Sequence, residues 1–140
     1  MNKAETISLL KKVEVFSGCS DRQLGTIVAN MHENAKPEGA VIVRAGDPGR
    51  VFFIITQGMV KVVVNGRTRT KLGRGDSFGE LSILTHEPRS ATVVAETPVE
   101  YLALTSGAFK GLVEANPAFA LGLLGNLARR FRELNKSITS

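Results

Sequence analysis

Between residues 40 and 104 the chain is a succession of short segments cut apart by turns, and this punctuation narrows the possible folds more than any other feature. Ala40–Arg44, Val51–Thr56, Met59–Val64, Arg67–Leu72, Ala91–Ala95 and Val99–Leu104 are too short for stable helices, and most are rich in Val, Ile and Phe. Such residues suit a pleated, half-buried surface. Glu38-Gly39, Ala45-Gly46-Asp47-Pro48-Gly49, Gln57-Gly58, Asn65-Gly66 and Gly73-Arg74-Gly75-Asp76 separate them. Asn65-Gly66 predicts a two-residue hairpin, because both residues tolerate the positive φ that a tight turn demands. Short strands at this regular spacing predict a barrel or jelly roll.

Helices flank this region. Residues 3–33 read as helical, with Ile7, Leu9, Leu10, Val13 and Phe16 at roughly helical spacing. Ser20-Asp21-Arg22-Gln23 has the form of a capping box, followed by one apolar face of Leu24, Ile27, Val28 and Met31. Residues 106–135 return to helix. Phe109, Leu112 and Val113 form a short stripe, Asn116-Pro117 interrupts it, and Phe119, Leu123, Leu124, Leu127, Phe131 and Leu134 resume it. Proline suits the first turn of the second helix. A chain of 140 residues is expected to form one domain, 1–140, with a core large enough to need no covalent staple.

Composition excludes several classes. Cys19 is the only cysteine, so neither an internal disulfide nor a multi-cysteine zinc site is available. No run approaches the ~18 apolar residues of a membrane span, and the N-terminus lacks a signal-peptide core. A cytoplasmic chain without a membrane segment is the expectation. The formal charge of +5 favours anionic partners modestly.

One stretch breaks the β pattern: Phe78-Gly79-Glu80-Leu81-Ser82-Ile83-Leu84-Thr85-His86-Glu87-Pro88-Arg89-Ser90-Ala91-Thr92-Val93. A glycine-started turn of helix is followed by a loop and a strand. Free amide N–H groups at a helix start attract anions. Gly79 allows close approach of a ligand to the backbone. Arg89 carries a planar fork of donors matched to a phosphate, and Ser90 adds a hydroxyl and an amide. Glu80 is an acceptor for sugar hydroxyls. The combination describes a site for a phosphorylated ribose. The rival reading of Glu80 and Arg89 is an internal ion pair.

The stretch resembles the phosphate-binding cassette of the cyclic-nucleotide-binding domain family, in which Phe-Gly-Glu-Leu is followed by Pro-Arg-Ser-Ala-Thr-Val. The likeness extends upstream through Gly39, Gly46-Asp47 and Phe52–Gly58, and downstream through the helices after Ser106. It implies a mainly β fold with flanking helices: an eight-stranded jelly-roll-like β-barrel with N-terminal helices at about 3–33, the barrel and its cassette at about 35–104, and C-terminal lid helices at about 106–135.

The function it implies is that of a regulatory sensor binding a cyclic nucleotide, most often cAMP, with cGMP as the alternative and without catalysis or metal. Arg89 and Ser90 would hold the cyclic phosphate, Glu80 the ribose 2′-hydroxyl, and the Gly79 backbone the sugar. Leu81, Ser82 and Ala91 complete the cassette. Val62 and Val64, on one face of a strand, are candidates to line the base. Arg130, with Phe131 and Leu134, corresponds to the lid region beside it. In this family a threonine after the arginine often accompanies cGMP preference, and here that residue is Ser90.

Other chemistries lack their residues. His32 and His86, the only histidines, have no ligand spacing around them, which argues against a metal-dependent barrel enzyme. Cys19 lies between Phe16 and Leu24, as a core residue would. Arg74-Gly75-Asp76 reads as a turn. No direct DNA binding is expected, since no helix-turn-helix follows the last predicted helix. An effector or a fused output domain remains the unnamed partner. The rival functions are a gating domain belonging to a cyclic-nucleotide-regulated channel or larger regulator, and an interaction scaffold indifferent to nucleotide.

Overall fold

The computed structural model of the chain describes residues 1–139, with side chains through residue 136. Two compact units are present, one of residues 30–109 and one of residues 1–29 together with the chain from Lys110 on.

The first unit holds eight strands: β1 (His32–Lys36), β2 (Val41–Val43), β3 (Val51–Gln57), β4 (Val60–Val64), β5 (Arg67–Leu72), β6 (Ser77–Phe78), β7 (Thr92–Ala95) and β8 (Val99–Thr105). They form two four-stranded antiparallel sheets, ordered β1-β8-β3-β6 and β2-β7-β4-β5. Phe53, Ile55, Phe78, Val99 and Tyr101 of the first sheet pack with Val43, Val60, Val93 and Ala95 of the second. This is the jelly-roll architecture with eight strands that the resemblance implied.

The alternate residues of β3 and β8, namely Phe52, Ile54, Leu102 and Leu104, are buried as well. Phe52 meets the ring of Phe109 at 5.0 Å between centroids. Burial on both faces explains why residues 51–55 read as an unbroken apolar run and not as an alternation.

The β4–β5 hairpin turns at Asn65-Gly66 with φ of 52° and 76°, as that dipeptide predicted. Gly58, at φ 90°, turns the chain between β3 and β4. A Cβ there would sit 2.3 Å from the Pro98 carbonyl oxygen, so that corner requires glycine on steric and conformational grounds together.

Two strands lie outside the six expected segments. The predicted helical region does not reach residue 33: its last helix ends at Val28, and β1 begins at His32, paired from His32–Ala103 to Lys36–Val99. His-Glu-Asn-Ala-Lys has almost no apolar pattern, and pairing with β8 decides its conformation. β6 is only two residues, fixed by Phe53–Phe78 and Ile54–Ser77 pairing.

The second unit contains α1 (Lys3–Leu10), a 3-10 turn (Glu14–Phe16) and α2 (Asp21–Val28). Asn2 caps α1, its Oδ1 accepting from the Glu5 amide at 2.8 Å. The Ser20 capping box is complete: the Gln23 amide donates to Ser20 Oγ, and the Ser20 amide donates to Gln23 Oε1.

α3 (Glu80–Thr85) interrupts the strands, and α4 (Ser106–Ala115) carries the chain from the first unit into the second. α5 (Pro117–Thr139) follows, capped by Asn116 Oδ1 on the Phe119 amide at 3.2 Å. Phe119 stacks on Phe16 at 5.2 Å. One turn on, a Cβ at Gly122 would lie 2.4 Å from the Val15 carbonyl oxygen, so α5 meets the 3-10 turn at backbone distance.

Asn126 Nδ2 and Arg129 Nε both donate to Glu14 at 2.8 Å. The Arg129 hydrogen bond holds the Glu14 carboxyl below the usual carboxylate range, against partial desolvation. Among the described residues, no helix is long and apolar enough to cross a membrane.

Candidate functional site

The cassette begins where β6 delivers Phe78 into the inter-sheet core, stacked on Phe53 at 4.7 Å. The chain then turns through Gly79 in the left-handed region, φ 102°, and α3 starts at Glu80. A Cβ on Gly79 would stand 2.7 Å from the Val51 carbonyl oxygen and 2.9 Å from Arg89 Nη1. Both the conformation and the lack of space select glycine. α3 buries Glu80, Ser82 and Ile83 and leaves Leu81 exposed.

Arg89 reaches the same place from the other side. Its amide donates to the Asp47 carbonyl, and its own carbonyl accepts from the Gly46 amide, both at 2.8 Å. This backbone pairing aims the side chain inward. Nη1 donates to the Gly79 carbonyl at 2.9 Å and Nη2 to the Val51 carbonyl at 2.6 Å. The guanidinium carbon stands 5.8 Å from the centre of the Phe53 ring.

Only 8% of Arg89 is exposed. Burial lowers its pKa, and the charge of Glu80 opposes that shift. Of five guanidinium N–H donors, two are spent on these carbonyls, so the fork keeps capacity for an anion. A dehydrated cation gains more from an anionic partner than an exposed one does.

Gly49 was not singled out by the sequence and is integral to this geometry. A Cβ there would fall 2.0 Å from Ser82 Cβ and 3.3 Å from Arg89 Cζ. Val51 and Phe53 are the other contributors missed, one through its carbonyl and one through its ring. Nothing in the turn Ala45–Gly49 distinguishes the packed glycine, Gly49, from the open one, Gly46, beside which a Cβ would meet nothing within 4 Å.

The structure therefore gathers Gly79, Glu80, Ser82 and Arg89, with Ser90 exposed and Ala91 half-buried immediately after them. Val62 and Val64 are half-buried on β4. Val62 pairs with Val93 of β7 and packs on the inter-sheet core. A register shift against β5 falls between Val62 and Val63. Arg130 and Phe131 belong to α5 in the second unit, where Arg130 is half-buried and Phe131 exposed. Among the described residues, no group of three or more His, Cys, Asp or Glu side chains is placed to hold a metal ion.

Comparison with known proteins agrees with this fold. Residues 34–116 match the model of the cyclic nucleotide-binding domain, a span that includes the whole cassette and stops at the start of α5. A cyclic nucleotide-gated potassium channel of Mesorhizobium japonicum is 38% identical over 112 residues, 80% of this chain and 31% of the channel. A cGMP-dependent protein kinase of Toxoplasma gondii is 43% identical over 96 residues, 68% of this chain and 10% of the kinase. The crystal structure of a cyclic nucleotide-binding domain from Methylobacillus flagellatus superposes with a TM-score of 0.83 at 29% identity, covering 98% of this chain and 82% of that one.

Fold and cassette together are those of a nucleotide-binding domain. The chain belongs to the cyclic nucleotide-binding domain family. It spans about a third of the channel and a tenth of the kinase.

Proposed function

We propose that residues 1–140 act as one cytoplasmic cyclic-nucleotide sensor with a preference for cAMP, and that α5 closes when ligand binds. The observation that carries the reading is the buried, backbone-anchored guanidinium of Arg89 beside buried Glu80. In this reading Arg89 and Ser90 take the cyclic phosphate, and Gly79 and Glu80 take the ribose. Leu81, Ser82 and Ala91 shape the cassette, and Val62 and Val64 border the base. Arg130 and Leu134, four residues apart on one helix face, approach the base on closure, with Phe131 adjoining them. The output belongs to an effector or a fused domain, and the site needs no metal. Calorimetric titration with cAMP and cGMP in parallel tests the reading: saturable binding of cAMP supports it, and no heat with either nucleotide refutes it.

Glu80 gives the sugar its own signature. A 2′-deoxy cyclic nucleotide should bind more weakly than its parent by about 1–3 kcal/mol, the cost of a buried acceptor losing its donor. Glu80→Ala should bind both weakly and erase the difference. Equal affinity of the unmodified protein for the two ligands would remove Glu80 from this role.

Base selectivity is expected to turn on Ser90. The preference for cAMP over cGMP should be about tenfold, or ~1.4 kcal/mol. Ser90→Thr should shift the ratio toward cGMP, because the added methyl fixes a hydroxyl able to reach the guanine amino group. Tighter cGMP binding by the unmodified protein would reverse the preference and leave the fold untouched.

Closure has a direct readout in hydrogen exchange. Amides of residues 126–135 should gain protection on adding cAMP, beyond the gain of the β-strands. A ligand shifts such an equilibrium only through different affinities for the two forms. Protection confined to residues 79–90 would exclude α5 as the moving part.

A further inference from the structure

The groove between the 3-10 turn and the first half of α5 breaks two local rules at once. Both of its walls belong to the second unit. It encloses about 620 Å³, with Ala118, Leu121, Gly122 and Gly125 along α5 and Asn126 and Arg129 at the far end. The opposite wall is Glu14, Ser17 and Gly18. Asn126 is only 4% exposed, yet its Oδ1 accepts no hydrogen bond. A buried acceptor without a donor is costly, because the hydration it gave up is not replaced. Its Nδ2 donates to Glu14 at 2.8 Å, which fixes the oxygen as the end of the amide left over. One residue earlier, Gly125 lies inside a helix, where glycine is disfavoured. A Cβ there would meet nothing within 4 Å, so packing within the chain does not demand glycine. Local rules are broken in this way at positions that serve a function.

We propose that this groove binds a small neutral carboxamide with an apolar body. Asn126 Oδ1 requires an N–H donor, which the amide nitrogen supplies. Arg129 gives Nε to Glu14 and Nη1 to Glu133, two of its five N–H donors, so the amide carbonyl finds a donor beside the same acceptor. Among the described residues of the lining, Glu14 and Arg129 carry charge, and they compensate each other in an ion pair at 2.8 Å. An ionic ligand would have to compete with that pair, whereas a neutral one leaves it intact.

The apolar body then lies along Ala118, Leu121 and Gly122, with Gly125 leaving room for it. The volume is within the range of about 300–1,000 Å³ typical of small-molecule sites, which combine an apolar lining with a few placed polar groups. Residues 79–91 of the cassette belong to the first unit, and none of them lines the groove, so the site is separate from the nucleotide reading.

Heteronuclear NMR titration of the full chain with benzamide tests this, with methyl benzoate as the partner probe that keeps the ring and carbonyl but has no donor. Benzamide should shift the Asn126 side-chain amide and the backbone amides of Gly122 and Gly125 saturably, with a dissociation constant on the order of 1 mM for so small a molecule. Methyl benzoate should bind at least tenfold more weakly. Gly125→Leu fills the groove and should abolish the shifts, while circular dichroism is unchanged and the melting temperature does not fall, because leucine is the better helix former. Asn126→Leu should weaken benzamide about tenfold and leave methyl benzoate unaffected, a difference that a purely structural role of Asn126 would not produce. Absence of shifts at residues 122–126, equal affinity for the two probes, or unimpaired benzamide binding by Gly125→Leu would each overturn the proposal.

Discussion

Arg89→Ala is expected to reduce cAMP affinity by about 2–5 kcal/mol, the usual cost of truncating one partner of a desolvated charged contact. The phosphate then loses its forked donor in a site from which water is largely excluded. The substitution has a second effect. The carbonyls of Gly79 and Val51 lose their donors, so the ligand-free protein should also be destabilised, by about 1–3 kcal/mol.

Denaturant unfolding and calorimetry on the same preparation separate the two effects. Arg89→Lys should recover part of the affinity and little of the anchoring, because a point charge cannot reach two carbonyls and an anion as a planar fork does. Binding by Arg89→Ala equal to that of the parent would show that the cassette does not hold the phosphate.

Gly49→Ala should be nearly as damaging, although Gly49 has no proposed contact with ligand. Its Cβ would overlap Ser82 Cβ and press on the Arg89 guanidinium. α3 or the turn before β3 has to move by more than an ångström. Overpacking of this kind costs about 1–3 kcal/mol, and the displaced fork should lower cAMP affinity at least tenfold. The double variant Gly49→Ala with Ser82→Gly removes the colliding atom. It should restore much of the affinity, less about 1 kcal/mol of stability for glycine inside a helix. Additive losses in the double variant would mean that the steric account is wrong.

Local signals with a single physical solution were legible in the sequence. The Ser20 capping box, the Asn65-Gly66 turn and the Asn116-Pro117 helix start all formed where they were expected, because each satisfies its own backbone groups without help. Gly79, Glu80, Ser82 and Arg89 could be selected as a group because their spacing is contained in one short stretch. Features created by tertiary pairing could not be read. β1 is polar along its length, and β6 is two residues long; each is a strand only because β8 or β3 offers it a ladder. Gly49 is special only because α3 lies against it, a contact between residues 33 positions apart. Residues 62–64 have no alternation of burial to reveal which side chains share a face.

The order of strands within the two sheets has a consequence for how the protein behaves in a crowded solution. The four outermost strands are β1, β6, β2 and β5. β6 and β2 are two and three residues long, too short to template a neighbour. β1 carries Glu33 and Lys36, and β5 sets Arg67, Arg69 and Lys71 along its length. A strand from another molecule that tried to extend either sheet would meet too few free peptide groups or a row of charge, devices by which natural sheets resist edge-to-edge aggregation. The module can therefore be carried inside longer polypeptides, as its channel and kinase relatives carry theirs, without its sheets growing into fibrils.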